Sequence, residues 1–471
     1  MSVPVVSVEQ MREWEQASWA AGRSEQEVIE TVGRCVARRA LALTRPGGRV
    51  LILAGRGHNG DDARSARPHL ARREVAVVEV TDPEAALPEV EAELARKPAL
   101  VIDGLFGIGL NRPLAAEWVR LIEAVNDARR PVLAVDAPSG LHCEEGRPMG
   151  AALRATITLT LAAPKNGLIQ AAARPFVGRL EVEPEIGLVP CPLKGGELRW
   201  MLGRDYADYP GPRAMDTHKG TFGHAVMVAG STGYHGAAVL AARAAQRARP
   251  GLITLITSER CYPPVAGQLQ AVMVRPAGRE PAYPERMTAL LFGPGLAGPE
   301  AGTLFKGACA TAWRGVRQPM VVDASALEWI KAGSARGAVL RVITPHPGEA
   351  ARMLRISVEQ VQADRPAALR ELSRRNGGCW VVLKGHQTLI GREEGPVFIN
   401  SSGNPGLAQG GTGDVLAGFI TGWLAQPELQ ADPGRALRAA VWHHGAAADR
   451  LADRLDRWIP EELVAELGRP A

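Results

Sequence analysis

The sequence predicts an α/β protein of two successive units, each a mainly parallel sheet covered by helices. Short apolar runs alternate with stretches of helical spacing, and the runs repeatedly end in polar or glycine-rich loops. Hydrophobic residues make up 46% of the chain but aromatic residues only 5%. Cores of small aliphatic side chains are expected where helices cover a parallel sheet. A chain of 471 residues is long enough for two or three domains.

The N-terminal half opens with a Rossmann-like pattern. Residues 8–44 have the spacing of two helices, and an apolar run at 49–54 predicts a buried strand. That strand enters the glycine-rich stretch 55–63, which we interpret as a loop leading into a helix. Further strands are predicted at 74–80, 99–103, 131–135, 155–161 and 178–182, with helices at 83–96 and 114–128.

Polar side chains follow three of these strands: Asn59 and Asp62, then Asp103, then Asp136 and Ser139. The carboxyl ends of parallel strands share one edge of a sheet, so these groups should converge. Their oxygens are hard ligands, suited to a hard cation. The plainer alternative is that each acidic residue only caps a helix or loop. The dinucleotide fingerprint GxGxxG is absent.

Prolines and weak periodicity at 187–217 indicate a connection between domains. We therefore expect a first domain at 1–200, a linker at 201–217 and a second domain at 218–471. In the second domain, strands are predicted at 224–229, 251–257, 289–292, 320–323, from 342, and at 379–383, with helices at 237–248 and 435–453.

The stretch 403–418 is the strongest functional signal in the second half. Four glycines between 406 and 413 precede an apolar run at 415–417, which we interpret as the first turn of a helix. A glycine-rich loop at a helix N-terminus presents free N–H groups and a positive dipole end, which suit a phosphate. Asp414 at this junction could take a proton from a substrate hydroxyl. The alternative is an ordinary turn with Asp414 as the N-cap.

Three further features of the second half each have two interpretations. Lys384 follows a predicted strand and could contact a phosphate, although a lysine there is more often solvated. His346 lies between two prolines, either displayed for a ligand or without a role. His443 and His444 are adjacent on a predicted helix and point about 100° apart. We interpret them as packing and capping residues rather than as ligands of one metal ion.

Composition excludes several function classes. The net charge is +5 without a basic run, so nucleic acid is not an expected partner. The six cysteines are far apart and include no CxxC pair, which argues against structural zinc and for a reducing compartment. No apolar run reaches about 18 residues and no secretion signal is visible. We expect a cytoplasmic protein without a membrane partner.

These motifs together resemble a known family. The C-terminal half is similar to the ADP/ATP-dependent NAD(P)H-hydrate dehydratases of the ribokinase-like superfamily, and the N-terminal half to the NAD(P)H-hydrate epimerase domain. The fused pair resembles the bifunctional NAD(P)H-hydrate repair enzymes over nearly the whole chain. The C-terminal resemblance rests on residues 218–223, 230–238, 293–295, 323–327, 344–349, 383–385 and 410–414, and the N-terminal one on 55–63, 103–110 and 136–141.

The resemblance implies two three-layer domains, Rossmann-like and then ribokinase-like, and two activities. The epimerase interconverts the R and S forms of hydrated NADH and NADPH, and the dehydratase restores NAD(P)H from the S form with ADP or ATP and Mg²⁺. It also implies that the epimerase binds K⁺ and that the chain forms a homo-oligomer. The residues leave the choice between ADP and ATP open.

The resemblance also assigns residues. Asp414 and Asp136 would be catalytic. In the C-terminal domain, hydrate contacts would be Ala237, Gly295, His346 and Asp414, and nucleotide contacts Lys384, Gly385, His386, Gln387, Thr388 and Gly413. In the N-terminal domain, substrate contacts would be His58, Asn59, Gly60, Asp61, Asp62, Asp136 and the stretch 107–113 with Gly107 and Gly109, and K⁺ ligands Asn59, Asp103 and Ser139.

The N-terminal half departs from the family pattern, which reads Asn-Asn-Gly-Gly-Asp-Gly at 58–63, at three positions besides His58. Asp61 and Ala63 stand where the family has glycine, and Ile108 replaces the usual threonine. A charge at Asp61 beside substrate phosphate would cost about 1 kcal/mol or more, depending on exposure. A weakened or absent epimerase activity is therefore one expectation. The competing interpretation of the whole chain is a ribokinase-like small-molecule kinase with a non-catalytic N-terminal binding domain.

Overall fold

The computed structural model describes residues 2–193, 196–330, 333 and 339–469. The chain divides into a unit of Val3–Gly196 and a second unit of Glu197–Ala471 with Met1–Ser2. Residues 201–217, the expected linker, belong to the second unit, where Met201, Leu202 and Tyr206 are buried.

The N-terminal unit contains a parallel six-stranded sheet in the order β3-β2-β4-β5-β6-β7. Its elements, besides short 3₁₀ turns, are β1 (Val3–Pro4), α1 (Val8–Ala20), α2 (Glu25–Leu43), β2 (Arg49–Ala54), α3 (His58–Ser65), β3 (Glu74–Glu79), α4 (Pro83–Ala95), β4 (Leu100–Gly104), α5 (Ala116–Asp127), β5 (Val132–Val135), β6 (Ile157–Leu161), α6 (Arg174–Val177) and β7 (Arg179–Glu183).

Strand β2 shows why this unit has three layers. Val50, Ile52 and Ala54 pack into one core with α1 and α2, whereas Leu51 and Leu53 pack into a second core with α4 and α5. Successive side chains of a strand point to opposite faces, so an uninterrupted apolar run is buried on both sides only when helices cover both. The predicted three-layer α/β fold is confirmed for this unit.

The C-terminal unit is a second layered α/β structure. Ten of its strands form a sheet in the order β8-β17-β16-β15-β14-β13-β12-β9-β10-β11, in which only the pairs made by β16 are antiparallel. The strands are β8 (Leu198–Trp200), β9 (His224–Val228), β10 (Leu252–Thr257), β11 (Met273–Pro276), β12 (Ala289–Phe292), β13 (Met320–Val322), β14 (Arg341–Ile343), β15 (Trp380–Leu383), β16 (Leu389–Gly391) and β17 (Val397–Ile399).

Nine α-helices are described in this unit, besides short 3₁₀ turns. They are α7 (His235–Ala248), α8 (Tyr262–Ala266), α9 (Ala301–Gly315), α10 (Pro347–Leu354), α11 (Val358–Ala363), α12 (Arg365–Arg375), α13 (Thr412–Leu424), α14 (Pro433–Ala452) and α15 (Pro460–Glu466).

Two glycine-rich stretches differ from their predicted form, because the helices start earlier. The stretch 57–63 is not a loop: α3 begins at His58, directly after Gly57 with a φ of 86°. Likewise α13 begins at Thr412 rather than at 415, after Gly411 with a φ of 100°. Asp414 therefore lies inside the first turn, and the interpretation of Asp414 as the N-cap is wrong.

Helices α7 and α13 pack unusually close together. A Cβ atom at Gly418 would lie 2.0 Å from the carbonyl oxygen of Ala241, so only glycine permits this approach. Both helices bury their facing sides in one large core. This contact joins the middle of α13 to the middle of α7.

We predict that Gly418→Ala destabilises the chain by about 1–3 kcal/mol, because the added methyl group forces the two helices apart. Urea unfolding followed by tryptophan fluorescence measures the change. The matched control is Gly307→Ala in α9, where an added Cβ meets no atom within 4 Å. That substitution should leave stability unchanged or raise it by up to ~1 kcal/mol. Equal effects of the two substitutions would contradict the packing argument.

Candidate active sites

The first site lies at the carboxyl edge of the N-terminal sheet. Asp103, near the end of β4, accepts hydrogen bonds from the Ser139 hydroxyl at 2.5 Å and the Ser139 N–H at 2.8 Å. The Ser139 oxygen in turn accepts the Phe106 N–H at 2.8 Å. Burial raises the pKa of the fully enclosed Asp103 carboxyl to about 6, although the hydrogen bonds from Ser139 act to lower this pKa.

Asn59 joins this group from the first turn of α3. Its side-chain nitrogen is buried without a hydrogen-bond partner. Its amide oxygen lies 3.5 Å from the Cβ position of Gly107 and its carbonyl oxygen 2.8 Å from that of Gly104. A buried amide with an unsatisfied atom implies a missing partner. The three predicted K⁺ ligands thus lie around the end of β4.

A buried ion pair follows β5 and β6. Asp136 has a φ of 62°, and its Oδ1 accepts hydrogen bonds from Lys165, from the Thr160 hydroxyl at 3.1 Å and from the Leu161 N–H at 3.0 Å. The Lys165 side chain is 1% exposed. Sequence reasoning missed Lys165, whose only signal is its position shortly after a buried strand.

A cavity of about 640 Å³ opens beside these groups. Its lining includes six of the individually predicted substrate contacts, residues 108 and 110–112 of the predicted stretch 107–113, and the missed residues Glu15 and Lys165. Gly60 and Asp61 are not part of its lining; Gly60 is buried, and a Cβ there would meet the Gly55 carbonyl oxygen at 2.0 Å. The six predicted residues are His58, Asn59, Asp62, Gly107, Gly109 and Asp136.

Asp61 would repel a substrate phosphate only if its carboxylate pointed toward the cavity. Its carboxylate instead bonds to Arg64 at 2.5 Å on the same helix, and is 45% exposed. Ala63 is fully buried and takes up the space beside Gly104. The neighbouring Asp62, unlike Asp61, lines the cavity. Burial, followed by repulsion from Asp136, raises the pKa of Asp62 to about 8.

The second site lies at the carboxyl edge of the C-terminal sheet. Asp323 follows β13, Thr344 follows β14 and Lys384 follows β15. Oδ1 of Asp323 accepts hydrogen bonds from the Thr344 hydroxyl at 2.6 Å and from the Lys384 ammonium at 2.8 Å. Lys384 also lies 3.7 Å from Glu349 on α10. Asp323 and Glu349 carried no assigned role in the sequence analysis.

The Lys384 ammonium therefore faces inward. Burial acts to lower its pKa, but Asp323 and Glu349 together raise the value above normal. The Lys384 side chain, predicted to contact a phosphate, forms an ion pair with Asp323. The following stretch is held by Arg365, which donates to the carbonyls of His386 and Leu383. Gly385 and His386 are exposed.

His346 caps α10. Its ring Nδ1 accepts the Gly348 N–H at 3.0 Å, and the backbone N–H of His346 donates to the Glu349 carboxylate at 2.7 Å. Burial lowers the pKa of His346, and Lys384 and Arg352 act in the same direction, against Glu349. The half-exposed ring is thus fixed at the edge of the site in its neutral form.

Asp414 completes the second site from the first turn of α13. The Cβ position of its neighbour Gly413 is 3.4 Å from the Lys384 ammonium nitrogen. Burial, followed by repulsion from Asp323, raises the pKa of Asp414 to about 7, although Lys384 lowers it. A carboxyl group that titrates near neutral pH is well matched to proton transfer.

The remaining predicted residues occupy the same edge. Gly295 follows β12, and a Cβ there would lie 3.0 Å from that of Ala237 on α7. The Gly295 carbonyl accepts a hydrogen bond from the buried Ser231 hydroxyl at 2.6 Å.

The adjacent histidines of α14 have separate partners. The His444 ring bonds to the Thr412 carbonyl at 3.0 Å, and burial lowers the pKa of His444 to about 4. His443 bonds to the Tyr209 carbonyl at 2.8 Å. Both histidines therefore have the packing contacts expected of them.

The fold and the two sites place this chain among two-domain α/β enzymes whose second domain is ribokinase-like. The C-terminal unit matches the crystal structure of an ADP/ATP-dependent NAD(P)H-hydrate dehydratase from Bacillus subtilis, co-crystallised with ATP/Mg²⁺. The identity is 32% and the TM-score 0.51, covering 57% of this chain and 95% of that one. A ribokinase-like superfamily protein from Enterococcus faecalis matches with 27% identity and a TM-score of 0.50, covering 59% and 96%.

Family models match both units. That of NAD(P)H-hydrate dehydratase covers residues 225–467, and that of the YjeF-related protein N-terminus covers 25–97 and 78–167. The bifunctional NAD(P)H-hydrate repair enzyme of Gloeobacter violaceus is 35% identical over 96% of this chain and 94% of its own length. That of Escherichia coli is 34% identical over 86% and 81%. The chain belongs to the family of bifunctional NAD(P)H-hydrate repair enzymes.

Within the described part of the chain, none of the helices combines the length and the apolar character needed to cross a bilayer.

We predict that Asp62→Asn stabilises the N-terminal unit more at pH 8 than at pH 5. The folded-state pKa of Asp62 is about 8 against a normal 3.8, so the native state binds the extra proton and stability falls as pH rises through this window. The variant should remove this loss, a difference on the order of a few kcal/mol. Hydrogen exchange in β2 and α3 at both pH values, corrected for intrinsic rates, measures it.

The matched control is Asp61→Asn. That side chain is exposed and paired with Arg64, so its loss should change stability by less than ~1 kcal/mol at either pH. If Asp62→Asn showed the same small, pH-independent change, the buried position of Asp62 would be wrong.

Proposed function

We propose that the chain repairs hydrated NADH and NADPH. The C-terminal unit dehydrates the S epimer at the expense of ADP or ATP, and the N-terminal unit interconverts the R and S epimers. The observation that carries the proposal is Asp414, a partly buried carboxyl group with a pKa of about 7 in the first turn of α13, close to the Lys384 ammonium. Membership of the repair-enzyme family supports the same assignment.

In the dehydration, Asp414 accepts the proton of the ring hydroxyl of the hydrate. The hydroxyl oxygen then takes the terminal phosphoryl group of the nucleotide, as the bond to the preceding phosphate breaks. Loss of phosphate from the ring carbon, with a proton from its neighbour, restores the dihydronicotinamide. The free N–H groups at the start of α13 stabilise the charge that develops on the phosphoryl oxygens.

Mg²⁺ accompanies the nucleotide in this proposal, as in the Bacillus subtilis dehydratase crystals. When bound, it neutralises phosphate charge during transfer. The described residues contain no group of three or more His, Cys, Asp or Glu arranged around one metal position. That fits a metal held mainly by nucleotide phosphates and water, which is usual for Mg²⁺.

The nucleotide contacts are proposed at residues 384–388 and Gly413. Since the Lys384 side chain is bonded to Asp323, residue 384 would contribute its backbone. The exposed Gly385 and His386, followed by Gln387 and Thr388, offer the remaining contacts. Ala237, Gly295 and His346 are proposed to contact the hydrate, since they lie at the same sheet edge as Asp414.

In the epimerisation, Asp136 is proposed to act on the hydrated ring in the N-terminal cavity. Lys165, Thr160 and Leu161 all donate to Oδ1 of Asp136, so the carboxylate is held in one direction. Lys165 is proposed as its positioning partner. The predicted contacts that line the cavity would hold the substrate, whereas Gly60 and Asp61 lie outside the lining.

K⁺ is proposed at Asn59, Asp103 and Ser139. The fit rests on the unsatisfied Asn59 side-chain nitrogen, where a reversed amide would present an oxygen, and on the enclosed Asp103 carboxyl. A bound cation would offset the Asp103 charge and tie β4 to α3. A cytoplasmic location is proposed from the composition, and a homo-oligomeric state from the family resemblance.

We predict that the chain, given S-epimer NADH hydrate, ATP or ADP and Mg²⁺, restores absorbance at the wavelength of NADH. Asp414→Asn should lower the rate at least ~100-fold with little change in nucleotide binding, because only the proton acceptor is lost. Glu394→Gln, at an exposed site of the same unit, is the control and should be fully active. A stable phosphorylated product without NADH recovery would favour the small-molecule kinase instead.

We predict that the R epimer is also consumed, faster than by its spontaneous conversion to S. Asp136→Asn should reduce this to the spontaneous rate while S-epimer dehydration continues. Asp61→Gly, which restores the family residue, should change the R-epimer rate by less than ~2-fold, because the paired Asp61 lies outside the cavity lining. A large gain from Asp61→Gly would show that the charge does weaken the epimerase.

A further inference from the structure

The Lys384 ammonium has three carboxyl groups around it and bonds to only one. Asp323 accepts its hydrogen bond at 2.8 Å, whereas Glu349 is 3.7 Å away. Asp414 is the third, on the turn whose Gly413 Cβ position is 3.4 Å from the ammonium nitrogen. In a buried site an ammonium pairs with the carboxylate that is best held in place, since charged groups there interact strongly.

Asp323 is held from two sides. Its backbone N–H donates to the Phe292 carbonyl at 3.0 Å, and its carbonyl is packed so closely on Gly293 that a Cβ there would lie 1.9 Å away. The Thr344 hydroxyl donates to Oδ1 at 2.6 Å, and the side chain is 2% exposed. Oδ1 therefore receives both the hydroxyl and the ammonium, with no freedom to turn toward solvent.

We propose that Asp323 is a positioning residue of the dehydration. Together with Thr344 it holds the Lys384 ammonium on the sheet side of the site, which leaves the Asp414 carboxylate unpaired for the substrate hydroxyl. This inference rests on the proposed function. It assigns Lys384 to an internal pair rather than to the nucleotide phosphates.

The charges around Asp414 support this arrangement. Groups that act on it come from β13 (Asp323), β15 (Lys384) and α10 (Glu349); after burial, Asp323 is the largest influence that raises its pKa. Outside this set, burial lowers the pKa of His346 at the start of α10 and that of the buried His444 of α14. Neutralising Asp323 removes its repulsion and frees Lys384 to pair with Asp414. Both changes lower the pKa of Asp414 and make it a weaker base.

The test compares Asp323→Asn, Thr344→Val and Thr344→Ser with the unmodified chain. NADH recovery from the S epimer is measured as kcat and as KM for the hydrate and for ADP, between pH 5.5 and 9. Asp323→Asn should lower kcat ~10-fold or more with KM values within ~2-fold, and should move the acid limb of the kcat profile to lower pH. Thr344→Val should shift the limb in the same direction by less, and Thr344→Ser should restore the normal profile.

Two results would overturn the inference while the unmodified chain stays active. One is an acid limb unmoved in Asp323→Asn. The other is a raised KM for ADP with an unchanged pH profile, which would indicate that Lys384 and Asp323 act in nucleotide binding. If Asp323→Asn does not fold, the pair of Thr344 variants decides alone: equal profiles for valine and serine would reject the role. Failure of the unmodified chain to restore NADH would instead reject the proposed function, and this inference with it.

Discussion

The buried ion pair between Lys384 and Asp323 is the interaction on which the C-terminal site depends. It joins the ends of β13 and β15, while Thr344 from the strand between them bonds to the same carboxylate oxygen. The ammonium would be costly to bury without such a partner. With it, one positive charge lies under the first turn of α13, and Asp414 keeps a pKa of about 7 among several carboxyl groups.

The N-terminal unit also pairs a buried ammonium with a carboxylate, using different residues. Lys165 and Asp136 form its buried pair, again just beyond the carboxyl ends of parallel strands. In both units helices cover both faces of the sheet, so the strand ends are where polar side chains can meet around an opening. Burial raises the pKa of an acid beside each site, to about 8 for Asp62 and to about 7 for Asp414.

Periodicity was enough to predict the layers, because apolar runs buried on both faces and helices between them leave a strong pattern. It was not enough at the glycine-rich stretches. Glycine is a weak helix former, so 58–63 and 412–414 looked like loops. In the fold these glycines allow α3 and α13 to start early, where the chain passes close to Gly55 and to Leu240. Tertiary packing overrides local propensity there.

By itself the sequence determined the α/β class, the two-unit order, the strand-end positions of Asp103, Asp136 and Ser139, and the family through its motifs. Only the tertiary structure decided how the charges pair. Lys384 turns to Asp323, Asp61 turns to Arg64, and Lys165 reaches Asp136 across 29 residues of chain. Spacing along a chain sets which strand edge a residue reaches, but the direction of a side chain depends on neighbours contributed by other elements.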